Sequence, residues 1–362
     1  MYKALLKKTY LKIRKILLSP FLLKKNSSIT AQNINKILLL RNDRVGDMTL
    51  STPVFSSLKK RYPDAKITVL ASENNQDIIR NNPNVDEIII YKGIRCFMNE
   101  TRVKNFDMAI DLFFTHKIKQ ALLIYLSGAK YRLGFKDSGR EMFFNVGETD
   151  LLPQTRMVEH LLDLAKTAGA ETDNCAPEIF LSDEEKEWAH SLLSKEGFEN
   201  SLKIAMHPGA FYPSQRWPAE RFGELAGRII DHSGARVLIF GDKKEEHLLK
   251  AVKERAGNDA HIFCGYSLRQ FMAMLNRCNL LICNNSGPLH IASALKIPTV
   301  SMTGPTVVPL WSPWGNNHIV LNKKLSCSPC NKVSCGDHSC LNLITVNEVM
   351  DAVVGQLEAV RA

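Results

Sequence analysis

The strongest constraint on how this chain can fold is an alternation that runs through it twice. Short apolar runs rich in β-type residues are each followed by a helical pattern. The first series starts at Lys36 with "KILLL", a helix through "PVFSSLKKRY", "KITVLA", a short helix, "DEIIIY", "DMAIDLFF" and a helix through "IKQALLIYLSG". Unbroken apolar runs predict strands covered on both faces, and strand–helix alternation predicts a parallel sheet flanked by helices. Residues 136–200 read differently, as a polar turn and two helices, "MVEHLLDLAKTAG" and "DEEKEWAHSLLSKEG". The alternation then restarts with "LKIAMH", "ARVLIF", "HIFC", "LLICN" and "PTVSM", each separated from the next by a helical pattern. The expected organisation is therefore two α/β domains, residues 36–195 and 200–345, with a last helix over 346–362 free to pack on either. A length of 362 residues agrees with this at ~150 residues per domain.

In open parallel sheets ligands bind at the carboxyl ends of the strands, so the loops after the first strand of each domain carry the functional information. Neither contains GxGxxG, and no GxxxxGK[ST] occurs, which argues against a nicotinamide dehydrogenase and a P-loop kinase. In "RNDRVGD", Gly46 predicts a tight turn, and Asp47 stands just before a helix whose first turn would hold Pro53. A carboxylate there can cap that helix or serve as a general base towards a sugar hydroxyl. Asp43 competes for the second role, although Arg41 and Arg44 stand close enough to pair with it.

The second loop, "HPGAFYPSQRWP", offers the backbone N–H groups of Gly209 and Ala210 together with Arg216, a combination suited to a diphosphate or simply a structural turn. In "CNNSGPLHIASAL", Ser286 and Gly287 open a helix with His290 in its first turn; a phosphate or ribose fits there, as does a plain capped helix with a core histidine. Another glycine- and proline-rich loop, "TGPTVVPLWSPWG", follows "PTVSM".

As a set, "RNDRVGDMTLSTPV", "HPGAFYPSQRWPAERF", "NNSGPLHIASAL" and "GPTVVPLWSPWG" closely resemble glycosyltransferase family 9, the bacterial heptosyltransferases of the lipopolysaccharide inner core. The resemblance runs from about Lys36 to the C-terminus. It implies a GT-B fold, two Rossmann-like domains facing a central cleft. The acceptor would lie on the N-terminal side, with Arg44, Gly46 and the base Asp47. The nucleotide sugar would lie on the C-terminal side, with Gly209, Ala210, Arg216, Asn285, Ser286, Gly287 and His290. The resemblance also implies inversion at the anomeric carbon and no requirement for a catalytic metal or other cofactor. The implied donor is ADP-heptose and the implied acceptor a lipid-anchored core oligosaccharide. Two departures stand out: Gln215 where the family commonly has lysine, and Asn285 where it often has aspartate. They favour two alternatives, a family 9 transferase using another nucleotide sugar for capsule or another surface glycan, and a non-catalytic binding protein on the same fold.

The net charge of +10 resides in the N-terminal arm. Lys3, Lys7, Lys8, Lys12, Arg14, Lys15, Lys24, Lys25, Lys36 and Arg41 precede the first acid, Asp43, and from Asp43 onward 37 basic and 37 acidic residues cancel. A nucleic-acid partner is therefore not required by the charge. At helical spacing Tyr2, Leu5, Leu6, Tyr10, Ile13, Ile16 and Leu17 share one face and Lys3, Lys7, Lys8, Arg14 and Lys15 the other, a pattern that can lie on an anionic bilayer or pack on its own protein. Residues 1–30 are thus expected to be a basic amphipathic arm on the inner-membrane surface, with the enzyme cytoplasmic and peripheral, since the arm has neither the form of a signal peptide nor the length of a membrane span.

Nine cysteines without a secretory signal fit a reducing compartment. Cys327, Cys330, Cys335 and Cys340, with His338 among them, lie close enough in sequence to wrap a structural metal ion, although the spacing matches no common zinc or iron–sulfur module. Reduced structural thiols or disulfides are the alternative.

Overall fold

The computed structural model describes residues 34–361 except 115–116, 137–138, 147, 150–151, 153 and 174, and five isolated positions at 9, 10, 13, 16 and 29. Most of the expected arm, residues 1–30, thus lies outside the described residues. Positions 9, 10, 13 and 16 are helical, and Tyr10, Ile13 and Ile16 are exposed. Among the described residues no helix is long and apolar enough to cross a membrane.

The chain divides into two compact units, the first ending at Pro177 and the second beginning at Glu178. In the first, β1 (Lys36–Leu40) leads into α1 (Val45–Arg61), then β2 (Lys66–Ala71), β3 (Glu87–Ile90), α2 (Ile94–Arg102), β4 (Met108–Asp111), α3 (Ile118–Leu126), β5 (Tyr131–Phe135), β6 (Glu148–Thr149) and α4 (Met157–Thr167). Every strand pair is parallel, in the order β3-β2-β1-β4-β5-β6. Leu39 lies beside Val69 of β2 and Ile110 of β4, and Ile37 to Leu40 are fully buried because helices cover both faces. The strand order reverses between β1 and β4, so the crevice for a ligand opens where those two strands end.

The second unit begins with α5 (Asp183–Lys195), followed by β7 (Lys203–His207), α6 (Ala219–Ser233), β8 (Arg236–Gly241), α7 (Glu246–Ala256), β9 (Ala260–Cys264), α8 (Leu268–Leu275), β10 (Leu280–Asn284), α9 (Gly287–Ala294), β11 (Thr299–Thr303), the single turn α10 (Val308–Trp311) and β12 (His318–Asn322). A short α11 (Ser339–Asn342) and the terminal α12 (Val346–Arg361) complete it. Its sheet is also parallel, in the order β12-β11-β10-β7-β8-β9, and reverses between β7 and β10.

One boundary differs from the sequence reading. The helix over Asp183–Lys195 belongs to the second unit, because Arg269 of α8 donates from Nε to Glu185 Oε1 (2.6 Å) and from Nη2 to the Phe180 carbonyl (2.8 Å). The last helix packs on the same unit, where Val349, Val353 and Leu357 join the core around Trp217 and Phe222. Trp217 is the anchor of that core. Its indole is fully buried, meets Phe222 edge-on at 5.1 Å and donates to the Ile344 carbonyl at 3.0 Å, which satisfies the one polar atom it takes out of water. Trp217→Ala should cost about 3–5 kcal/mol. Hydrogen exchange should show the loss of amide protection confined to residues after Glu178.

Candidate active site

In the first unit the site is organised by one buried guanidinium. Arg41 follows directly on β1 and is 1% exposed. Its Nη2 donates to Asp47 Oδ1 at 2.9 Å, its Nε lies 3.3 Å from Asp43 Oδ1, and its Nη1 donates to the Leu112 carbonyl. The guanidinium plane stands 5.4 Å from the centre of the Phe113 ring. Arg41 therefore ties the loop after β1 to the end of β4 across the point where the strand order reverses.

Asp43 and Asp47 share this cation in different environments. Burial pushes the Asp43 carboxyl up to about 6, against the pull of Arg41 and with help from the negative charge of Asp47. Asp47 lies in the first turn of α1, where the helix dipole favours a carboxylate. Arg44 is the exposed N-cap residue of that helix and makes no side-chain cap.

The expected tight turn at Gly46 is absent: the residue is a buried part of the helix, which begins at Val45 and brings Asp47 inside it. Pro53 correspondingly lies in the interior of α1 rather than its first turn. A proline there leaves the Thr49 carbonyl without its usual amide. The Thr52 hydroxyl donates to that oxygen at 2.8 Å and repairs the gap. The hydroxyls of Thr49, Ser51 and Ser57 likewise donate back to the carbonyls of Val45, Asp47 and Pro53, so a helix rich in polar residues can be buried.

Two residues that the sequence reading did not single out complete this half. Asp111, the last residue of β4, is fully buried and paired with the equally buried Arg140; burial raises its carboxyl and Arg140 opposes the rise. Asp111 Oδ1 accepts the Phe113 N–H at 3.0 Å, and Arg140 Nη1 donates to the Phe113 carbonyl at 3.0 Å. Two arginines thus hold the Leu112–Phe113 segment from either side. An acid ending an apolar strand at its carboxyl edge was the available sequence signal.

In the second unit Asn284, at the end of β10, joins two loops. Its Nδ2 donates to the Pro208 carbonyl at 2.8 Å, and its Oδ1 accepts the Trp217 N–H at 2.8 Å. The expected residues Gly209, Ala210 and Arg216 are brought together by this arrangement: Arg216 Nε donates to the Ala210 carbonyl at 2.9 Å. Glu245, on the short turn after β8, also enters the group. It lies 3.6 Å from Arg216 Nη2 and so close to Gly209 that a Cβ there would fall 2.2 Å from its carboxylate oxygen. Burial lowers the neighbouring His207 imidazole, and Glu245 partly offsets this. Gln215 ends the turn before Arg216.

Asn285 turns its amide inward, to Thr303 Oγ1 at 3.2 Å and the Trp311 carbonyl at 3.4 Å. Ser286 is the N-cap residue of α9 and makes no side-chain cap, so its hydroxyl does not spend the first N–H groups of the helix. Gly287 opens α9 and His290 is buried in its first turn. Of the four clustered cysteines, all free thiols, Cys327, Cys330 and Cys335 stand on one loop and Cys340 in α11, and among the described residues no group of three His, Cys, Asp or Glu is placed to hold a metal ion.

Residues 94–339 match the family described as glycosyltransferase family 9 (heptosyltransferase). The chain belongs to this family. It is similar to lipopolysaccharide heptosyltransferase 2 of Escherichia coli K12, with 28% identity over 294 residues, 75% of this chain and 83% of that protein. The structure resembles that of E. coli ADP-heptose lipopolysaccharide heptosyltransferase II, with a TM-score of 0.75 and 25% identity over 90% of this chain and all of that one. It also resembles a family 9 glycosyltransferase from Veillonella parvula, with a TM-score of 0.80 and 24% identity over 92% and 100%. The two parallel units are thus those of a GT-B glycosyltransferase, and the chain is a glycosyltransferase.

The raised Asp43 carboxyl has a consequence for stability. An acid whose folded pKa lies above its unfolded value keeps a proton in the native state that the unfolded chain has lost, so its contribution falls as pH rises from about 4 to about 6. Asp43→Asn removes that penalty. The melting temperature of the variant relative to the parent should therefore increase between pH 4 and pH 7; a constant difference would show that Asp43 is not the titrating group.

Proposed function

We propose that this glycosyltransferase moves heptose, with inversion, from ADP-heptose to the lipid-anchored core oligosaccharide of lipopolysaccharide. The observation that carries the reading is the pairing of Asp47 with buried Arg41 at the carboxyl edge of the first sheet. The bond fixes Oδ1, which leaves Oδ2 to take the proton from an acceptor hydroxyl. The hydroxyl oxygen then attacks the anomeric carbon as the bond to the diphosphate breaks and ADP departs. In this reading the charge on the leaving diphosphate is met by the Gly287 N–H at the start of α9 and by Arg216. Arg216 exchanges one anion for another, giving up Glu245 as the diphosphate arrives. No step calls for a metal or other cofactor.

Asp47→Asn should lower kcat about 10²–10⁴-fold in an assay of ADP release from ADP-heptose with a core acceptor. Unchanged turnover would remove Asp47 from the chemistry. Gln215, with the inward-turned Asn285 amide, favours a second reading in which the sugar donor differs. A panel of nucleotide sugars separates the two, because release of UDP or GDP in place of ADP would assign another donor.

The basic arm gives the enzyme a place to work. Its lysines and arginines suit anionic headgroups, and Tyr10, Ile13 and Ile16 are apolar side chains exposed on a helix. We assign the arm to the cytoplasmic face of the inner membrane, where an amphiphilic acceptor is presented. The full chain should co-sediment with vesicles containing anionic lipid and be released by salt, whereas a chain lacking residues 1–28 should stay in solution. Equal sedimentation of the two would rule the arm out as the anchor.

A further inference from the structure

The segment carrying the clustered cysteines is used in none of the steps above, yet it holds the loop after β7 and the loop after β11. Towards one side, the Ser328 hydroxyl donates to the Gly304 carbonyl at 2.8 Å, and the N–H groups of Cys330 and Asn331 both donate to the Pro305 carbonyl, at 3.0 and 2.9 Å. The contact at Gly304 leaves no room, since a Cβ there would lie 2.7 Å from Leu341 Cγ and 3.0 Å from Cys340 Sγ. Next in the chain, Thr306 is buried with a hydroxyl that has no hydrogen-bond partner among the described residues. A polar group buried without a partner costs about 1–3 kcal/mol, which suits a loop built to receive a ligand.

Towards the other side, the same segment takes all three polar groups of buried Ser214. The Ser214 N–H donates to the Val333 carbonyl at 3.3 Å, its hydroxyl donates to the Lys332 carbonyl at 2.5 Å, and its carbonyl accepts from His338 Nε2 at 2.9 Å. Ser214 directly precedes Gln215 and Arg216 in the turn over Pro213–Gln215. His338 has a left-handed backbone, with φ of 52°, and donates its N–H to Cys335 Sγ at 3.4 Å. Burial pushes the Cys340 thiol up, and Cys330, Cys335 and Cys327 add to the rise, as expected for four sulfurs in one neighbourhood.

We propose that residues 328–338 form a strap that ties the loop after β7 to the loop after β11, with His338 as the positioning residue that acts through Ser214 on Arg216. The proposal rests on the reading of Arg216 and its loop as part of the nucleoside-diphosphate site. It makes donor affinity depend on a segment that need not touch the donor.

The test is calorimetric titration of the full chain with ADP. His338→Ala should weaken ADP binding about tenfold, the order expected for one lost bond to a positioned carbonyl. His338→Gln, whose carboxamide can donate to the same carbonyl, should recover to within about threefold. Equal affinity in the parent and His338→Ala would overturn the strap, whereas a parent that binds neither ADP, UDP nor GDP would overturn the donor-site reading beneath it. Should His338→Ala fail to fold, the parent decides the matter through N-ethylmaleimide labelling mapped by mass. ADP should slow the labelling of Cys330 and Cys335 while leaving Cys96 in the first unit unaffected. Equal rates with and without ADP would overturn the proposal.

Discussion

The first unit depends on burying Arg41. A guanidinium cannot shed its charge, so a chain that places one in the interior must surround it with acceptors or lose several kcal/mol. The loop after β1 supplies two carboxylates, the segment after β4 supplies a carbonyl, and Phe113 supplies a ring. Meeting those demands draws the ends of the two central strands together and fixes the direction of Asp47. Arg140 and Asp111 repeat the arrangement one strand away, with Phe113 shared between them. Stability and the placement of Asp47 therefore rest on the same few contacts.

In the second unit an uncharged side chain does the equivalent work. Asn284 ends its strand fully buried and links the Pro208 carbonyl to the Trp217 N–H. An amide has both donor and acceptor, so one residue can connect two loops of opposite need without the cost of a buried ion. Trp217 then passes the connection into the core, through its ring to Phe222 and its N–H to Ile344.

The central strands were legible because a strand buried on both faces must be apolar throughout, as "ILLL" and "LLIC" are. The strands that escaped reading carry weaker signals. β5 breaks its apolar residues with Arg132 and Gly134, β6 is two residues long, and β12 lies at an edge with every residue only partly buried, so none is an unbroken apolar run. The site follows the same division. Asp43 and Asp47 stand within six residues of Arg41, and their pairing could be anticipated from proximity. Asp111 and Arg140 are separated by 29 residues, and Glu245 reaches Arg216 from another strand's loop. Those pairings exist only once the sheet order is set. The helix start at Val45 was obscured because glycine and proline ordinarily mark turns, and only the hydroxyl repairs along α1 let both stay inside a helix.

The close approach of Glu245 to Gly209 bears on how this site can change over generations. Any side chain at 209 would collide with the carboxylate, and withdrawing the carboxylate alone would leave Arg216 without its resting counterion. The carboxylate is the far end of a flexible side chain, so a larger residue at 209 is accommodated by moving Glu245, and that movement takes it away from Arg216. A change at one position is therefore expected to be felt at the other.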